Sequence, residues 1–234
     1  LIIAGKNSKI SYLERLESRG GGSAKATANI TVEVIARSGA QVKFAAIDRL
    51  GENVTAYISR RGKLGNDASI DWAIGVMNEG NVVADFDSDL IGNGSHADLK
   101  AVALSSGRQV QGIDTRVTNY GCNSIGNILQ NGVILEKATL TFNGIGHIIK
   151  GAKGADAQQE SRVLMLSDQA RSDANPILLI DENDVTAGHA ASIGQVDPED
   201  MYYLMSRGLD KATAERLVVR GFLGSVIVEI PVKE

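Results

Sequence analysis

The stretch VVADFDSDLIGNGS, residues 82–95, combines the two patterns that decide the fold. In its first part, apolar residues alternate with aspartates, which predicts a β-strand with one buried and one exposed face. Its last part, IGNGS, has the glycine and asparagine residues of a tight turn, because these residues tolerate left-handed backbone conformations. The stretch therefore predicts a short strand followed by a corner.

The same alternation recurs along most of the chain, in residues 31–34, 42–46, 54–59 and 137–142. The stretches YGCN (120–123), LQNGV (129–133) and FNGIG (142–146) add further predicted corners between strands. Many short strands at even spacing fit a β-sandwich, a β-barrel or a β-solenoid. Corners longer than a two-residue hairpin and an aromatic content of only 4% favour the solenoid, although no strict sequence repeat occurs.

A second pattern begins after Ile193, where helix signals replace the alternation. Asp197 is a good helix N-cap, Pro198 suits the first helical position, and Gly208 suits the end of the helix. Asp210 then caps a second predicted helix, whose far end, residues 221–232, fits a helix or a strand equally well.

The predicted fold is mainly β, with stacked parallel strands from Leu1 to Ile193. It is a right-handed parallel β-helix (solenoid) followed by a short C-terminal α-helical segment. The predicted domains are a β-helix core in residues 1–195 and the helical segment in residues 196–234.

Composition narrows the classes of protein and of partner. The 234 residues suffice for a self-contained core, and the formal charge of −4 comes with scattered basic residues, which argues against nucleic acid or a membrane surface as a partner. The single cysteine, Cys122, excludes an internal disulfide and favours a reducing, cytoplasmic location. No apolar run has membrane-spanning length. Because Leu1 begins directly in a strand-like stretch, we expect the chain to be the later part of a longer protein.

The C-terminal third resembles a known family. The stretch PILLIDENDVTAGHAASIGQVDPEDMYYLMSRGLDKATAERLVVRGF, residues 176–222, is similar to the C-terminal signature of the SufB/SufD family of iron–sulfur cluster assembly scaffolds. The matching elements are Pro176, the pair Asp184 and Val185, His189 in a small-residue loop, and the motifs YYLMSRGL and RGF. Residues 151–175 also resemble the family, whereas the preceding strands are compatible with its β-helix but less distinctive.

Within this family, the resemblance favours the SufD branch. SufB proteins carry a cysteine in the strand before the proline segment, where this chain has Gln169, Ala170 and Arg171, and a Glu-His-Glu sequence around the histidine. Some SufD proteins carry a cysteine two residues before the histidine, where this chain has Ala187. Any thiolate ligand is therefore expected from elsewhere. A SufB-like scaffold that acts alone is the alternative within the family.

His189 is the candidate metal ligand. A neutral imidazole can bind iron, as histidine does in Rieske centres, but one ligand cannot hold a cluster. Gly188, Ala190 and Ala191 have little bulk, so another chain could approach the ring closely. The resemblance implies that a SufB-type partner supplies cysteine and carboxylate ligands for a transient iron–sulfur cluster, and that the isolated chain binds none. The alternative is an ordinary, hydrogen-bonded histidine.

The resemblance also implies a non-catalytic scaffold subunit that pairs with SufB and binds the SufC ATPase. The predicted ATPase contacts lie in the helical segment: Met201, Tyr202, Tyr203, Arg207, Gly208 and Phe222. No G-x-x-x-x-G-K-[ST] loop occurs in the sequence, so ATP hydrolysis is expected from the partner. In isolation, the chain is a possible homodimer.

Four other features of the sequence have both a functional and a structural interpretation. The aspartates of residues 85–89 could bind calcium or serve a β-solenoid polysaccharide-processing enzyme, but such rows are usually solvated outer faces. His96 and His147 lie beside glycines, which favours hydrogen bonding in turns. Cys122 could be an iron or persulfide site, although a lone cysteine is more often a small buried apolar residue.

Overall fold

The computed structural model describes residues 1–18 and 24–228. These residues form fourteen strands and two helices. The strands are β1 (Ile2–Ala4), β2 (Lys9–Glu17), β3 (Ala26–Ala36), β4 (Gln41–Arg49), β5 (Val54–Leu64), β6 (Ser69–Val76), β7 (Val82–Leu90), β8 (His96–Ser105), β9 (Val110–Asn119), β10 (Ile125–Ile134), β11 (Thr139–Ile148), β12 (Asp156–Met165), β13 (Arg171–Ile180) and β14 (Thr186–Gln195). The helices are α1 (Pro198–Ser206) and α2 (Lys211–Ile227).

The strands form two parallel sheets that face each other. The odd-numbered strands β1 to β13 form one sheet, here called the odd sheet, and the even-numbered strands β2 to β14 form the even sheet. Every strand pairs in parallel with the strand two positions along the chain. The chain thus coils as a parallel solenoid of about seven turns, which confirms the predicted fold class.

Corners with left-handed residues separate the strands, as the sequence predicts for IGNGS and YGCN. Gly94 and Asn123 have φ values of 66° and 53°. The corners also stack on one another through main-chain hydrogen bonds, for example from Gly94 N to Cys122 O at 2.9 Å. A Cβ at Gly92 would lie 2.1 Å from Asn66 N in the preceding corner, so the stacking leaves no room for a side chain there.

The prediction of corners at LQNGV and FNGIG is wrong, because both stretches lie inside strands β10 and β11. Their glycines serve close packing instead. A Cβ at Gly132 would lie 2.5 Å from Leu140 Cδ2 and 2.8 Å from Phe142 Cε2. Glycine in these strands therefore makes space for large side chains in the core.

The core between the sheets is mainly aliphatic, with large side chains concentrated in the first coils. Phe44 and Trp72 contact each other there, with ring centroids 4.7 Å apart. Arg60 is fully buried among them, together with the carboxylate of Asp48. It donates two hydrogen bonds to Asp48, at 2.7 and 2.9 Å, and one to Glu14 at 2.6 Å. These ion pairs connect strands β2, β4 and β5.

Both helices begin at the predicted caps. Asp197 Oδ1 accepts a hydrogen bond from Glu199 N at 2.8 Å, and Asp210 Oδ1 accepts one from Thr213 N at 2.7 Å. The ambiguous end of the second helix is helical as far as Ile227. Residues 229–232 of that stretch lie outside the described residues.

Helix α2 packs on the outer face of the even sheet. Leu223 and Val226 share a buried cluster with Val102 of β8 and Val133 of β10. The helical segment therefore shares core contacts with the β body. The division of the chain into domains at residues 195 and 196 remains a prediction.

Candidate functional site

His189 lies in the middle of strand β14, so the prediction of a small-residue loop around it is wrong. Glycine and alanine have low strand propensity, but pairing with β12 overrides that preference. The register is continuous from Asp156 opposite Thr186 to Met165 opposite Gln195. The histidine is therefore held on a strand of a sheet.

The register places the His189 side chain on the inner face of the solenoid. His189 lies opposite Gln159, which is buried, and Ala187 packs with buried Ala157. Gly188 and Ala190 point to the opposite, outer face, because side chains alternate along a strand. His189 is nevertheless exposed, because β14 ends the even sheet and no further coil covers it within the described residues.

The backbone of His189 faces the open edge of the sheet. The amides of Thr186 and Val196 donate to Ala155 O and Met165 O, so the even-numbered residues of β14 face β12. The odd-numbered residues, including His189, therefore direct their N–H and C=O groups away from β12. Such an edge can pair with a strand of another chain.

Apolar side chains surround this open end. Ile180 of β13 and Ile193 of β14 are 46% and 44% exposed, and Ile177 and Leu179 are exposed on the outer face of β13. Exposed apolar residues at the end of a sheet favour a protein–protein contact there.

The α1 surface is the second candidate. Tyr202 and Tyr203 are 75% and 56% exposed, and the Arg207 guanidinium lies over the Tyr203 ring, 5.0 Å from its centroid. Gly208 follows with a φ of 93°, a conformation that favours glycine. Met201 is half-buried.

Phe222 differs from the other predicted contacts, because it lies on α2 and packs against the cluster that joins this helix to the even sheet.

Residues 1–222 match the family model described as "SUF system FeS cluster assembly, SufBD core domain". The chain belongs to the SufBD core family. It is 48% identical over 234 residues to a Bacillus subtilis protein named "Iron-sulfur cluster assembly protein SufD", with 100% of this chain and 53% of the relative covered. A Mycobacterium leprae protein of the SufBD family is 29% identical over 86% of this chain and 23% of the relative.

A Staphylococcus epidermidis protein of the SufBD family is 24% identical, with 100% of this chain and 50% of the relative covered. The SufBD core chain thus spans about half the length, or less, of these relatives. The family match confirms the resemblance seen in the C-terminal third and extends it to the first strands.

The other two histidines of this SufBD core lie in strands, so the prediction of turn positions is wrong for both. His96 begins β8, and its Nε2 lies 3.1 Å from Asp98 Oδ1. That contact raises the pKa of His96 and lowers the pKa of Asp98. His147 lies in β11, with Nε2 3.2 Å from Asp181 Oδ2. Both rings face carboxylates, whereas the structure gives His189 no hydrogen bond or ion pair within residues 1–18 and 24–228.

Cys122 lies in a corner and donates a hydrogen bond from Sγ to Gly151 O at 3.4 Å. It is partly exposed, so it is not the fully buried apolar residue that the structural interpretation expects. Among the described residues, no group of three or more His, Cys, Asp or Glu side chains could hold a metal ion. None of the described helices is long and apolar enough to cross a membrane.

The aspartates of β7 lie on the outer face of the odd sheet, but Asp87 is not solvated. It is buried under Arg116, whose Nη2 donates to Asp87 Oδ2 at 2.6 Å, and under Arg61. Burial raises the pKa of Asp87 to about 6, and the neighbouring Asp85 carboxylate also raises it, whereas the two arginines oppose this shift. Asp85 and Asp87 therefore form ion pairs with arginines of the neighbouring strands β5 and β9.

Sequence reasoning missed two parts of the site: the open edge of β14 and the buried Gln159 opposite His189. The open edge exists because β14 is the last strand of the even sheet, and no local sequence pattern indicates which strand is the last. Gln159 has a signal in the sequence, since Ala157, Gln159, Ser161 and Val163 share the alternation of a buried strand face.

Proposed function

We propose that the chain is the core of a SufD-type, non-catalytic scaffold subunit in Suf iron–sulfur cluster assembly. It pairs with a SufB-type partner at the open end of the solenoid. His189 is one ligand of a transient cluster that the two subunits share. The observation that carries the proposal is the position of His189, which has its ring on the inner face of the terminal coil and its backbone on the open edge of β14.

The open end suits a protein partner for physical reasons. An unpaired strand edge offers a row of hydrogen-bonding groups, and the exposed Ile180 and Ile193 add apolar surface that association would bury. A SufB-type strand against β14 would bring its own side chains beside the His189 ring. A second copy of the same chain is the alternative occupant of this edge.

The cluster is cargo of the complex, and the ligands present explain why a partner is needed. A single imidazole leaves most of the coordination sphere of iron to water, so the chain alone should bind iron weakly. The one thiol, Cys122, lies in a corner and bonds to Gly151 O. The remaining ligands are therefore proposed to come from the SufB-type subunit.

The test is the cluster content of the assembled complex. His189→Ala should lower the visible absorbance of the reconstituted complex while the subunits still co-purify, because an exposed ring contributes little to folding. His96→Ala and His147→Ala are the matched controls, since each removes a partly exposed strand histidine. Equal cluster yield in all three variants would reject the ligand role. Unfolding of His189→Ala alone would make the residue structural.

The proposed binding site for the SufC-type ATPase is the surface of α1 with Met201, Tyr202, Tyr203, Arg207 and Gly208. Its support is the exposure of the two tyrosines, because large aromatic residues dominate protein–protein interfaces. Phe222 on α2 is proposed as a further contact, and its side chain packs with the cluster that holds α2 on the even sheet. The ATPase would then supply the hydrolysis for which the chain has no phosphate-binding loop.

The replacement of Tyr202 and Tyr203 together by alanine tests this site. We expect the affinity for SufC to fall by about tenfold or more, since interface aromatics commonly contribute that much. Titration calorimetry with purified SufC measures the effect. Tyr120→Ala, which removes an exposed tyrosine from a solenoid corner, is the control. Undiminished affinity of the double variant would place the ATPase elsewhere.

We also propose a cytoplasmic location. The support is the single cysteine, which leaves the chain without an internal disulfide, as is usual for proteins of reducing compartments.

A further inference from the structure

A column of inner-face side chains runs along the even sheet and ends at His189. In register it contains Tyr12, Phe44, Trp72, Leu99, Ile128, Gln159 and His189. The members below Gln159 are aromatic or aliphatic. Gln159 therefore replaces an apolar side chain at the one rung directly beneath the histidine.

The side-chain amide of Gln159 is buried and only half satisfied. Its Nε2 donates to Ile177 O at 3.0 Å, but the buried Oε1 has no hydrogen-bond donor. Unsatisfied buried oxygens are unfavourable, so such a group in an otherwise apolar column needs a reason. Gly144 of β11 leaves the space for this oxygen, because a Cβ there would lie 2.9 Å from Gln159 Oε1. The oxygen therefore lies on the side of the amide that faces the coil before the terminal one.

The adjacent column contains a second buried amide with a different hydrogen-bond pattern. Gln130 Oε1 accepts a hydrogen bond from Ser161 Oγ at 2.6 Å, and Gln130 Nε2 donates to Asn143 O at 3.3 Å. Of these two amides near the terminal coil, only Gln159 thus has an oxygen without any hydrogen-bond donor.

We propose that Gln159 is a positioning residue for His189: when the ring turns into the solenoid, the Gln159 amide rotates away from Ile177 and Gly144, and its oxygen accepts a hydrogen bond from a ring N–H of His189. Neighbouring strands of a sheet lie about 4.8 Å apart, so side chains on the same face in adjacent rungs are within reach of each other. Metal-binding histidines commonly donate their second ring N–H to such a group, which fixes the tautomer and directs the unprotonated nitrogen to the metal. The inference rests on the proposed ligand role of His189.

The experiment measures the ring tautomer of His189 by ¹⁵N NMR in the 234-residue chain, at about pH 8.5, which lies well above the ordinary pKa of free histidine. His96 and His147 serve as internal references. The variants are Gln159→Met, which keeps the length and removes the acceptor, and Gln159→Glu, which keeps acceptor oxygens. Gln111→Met is the matched control, because Gln111 is also buried, donates to Leu104 O and has an unpartnered Oε1.

In the unmodified chain, one tautomer of His189 should predominate. Gln159→Met should reduce the tautomer ratio about fivefold, the effect of one ordinary hydrogen bond. Gln159→Glu should preserve the dominant tautomer, and Gln111→Met should leave the ratio unchanged. Since an apolar group of similar shape replaces a half-satisfied amide, Gln159→Met should fold.

Two results would overturn the inference. One is a His189 tautomer ratio in the unmodified chain equal to that of free histidine in water. The other is an unchanged ratio in Gln159→Met. The measurement uses neither iron nor a partner, so it is independent of the cluster-yield test of His189→Ala. A normal cluster yield in His189→Ala beside a Gln159-dependent tautomer would reject the ligand role alone.

Discussion

At the scale of single residues, the buried Arg60 shows how the solenoid tolerates a charge in its core. Its guanidinium lies between the rings of Phe44 and Phe86, 5.9 and 5.6 Å from their centroids. Asp48 and Glu14 bind its nitrogens, and both carboxylates come from the even sheet whereas Arg60 comes from the odd sheet. The ion pairs therefore hold the two sheets together near the first coils.

We expect Asp48→Asn to reduce the free energy of unfolding by about 3–5 kcal/mol, because it leaves a buried guanidinium without its main partner. Urea denaturation of the variant and the unmodified chain measures the difference. The double variant with Arg60→Met and Asp48→Leu should recover much of the loss, since it removes both buried charges.

The control is Arg15→Ala, which breaks the exposed pair of Arg15 with Glu17 and should cost less than about 1 kcal/mol. A loss for Asp48→Asn as small as that of this control would contradict the importance of the buried pair.

At the scale of elements, strand patterns were predictable, but the roles of glycine were not. Alternation in residues 82–90 and the IGNGS corner predicted β7 and its turn correctly. Asn-Gly pairs also led to the wrong prediction of corners within β10 and β11. Glycine occurs both in turns and at positions of close packing, and for Gly132 only the opposing Leu140 and Phe142 distinguish the two roles. His189 was identified from the sequence as the candidate ligand. Its strand was missed, because glycine and alanine form β14 only through pairing with β12.

Helix α2 gives a prediction at this scale. Leu223→Ala should reduce the free energy of unfolding by about 2–4 kcal/mol, since it opens a cavity between the helix and the even sheet. Thermal and urea unfolding measure the loss. The control is Leu217→Ala on the same helix, whose side chain is exposed and whose removal should cost about 0.5 kcal/mol or less. Equal losses in the two variants would show that α2 does not depend on this contact.

At the scale of the whole molecule, stability should vary along the solenoid, because each coil contacts only its neighbours. Central strands such as β7 and β8 have a paired strand on both sides, whereas β13 and β14 have one on a single side in the described structure. The terminal strands β13 and β14, which lie at the proposed site, therefore have fewer pairing contacts than the central strands of their sheets.

Native-state hydrogen exchange should show this gradient. Backbone amides of β7 and β8 should exchange at least about tenfold more slowly than those of β14, a difference of ~1.4 kcal/mol in opening free energy. Addition of a SufB-type partner should slow exchange selectively at the odd-numbered amides of β14, which face the open edge. Uniform protection along the chain, or protection by the partner at β7 instead, would contradict the prediction.

If the proposed partner contact is made at the open edge of β14, the same edge would also limit how many scaffold subunits can assemble. When two solenoids meet edge to edge at this end, each one occupies the free edge of the other, so the contact is closed and self-limiting. No further subunit can join by the same contact, so this contact cannot build a filament. The stoichiometry of the scaffold would thus follow from the symmetry of the contact, and the sequences of the two subunits would decide only which pair forms.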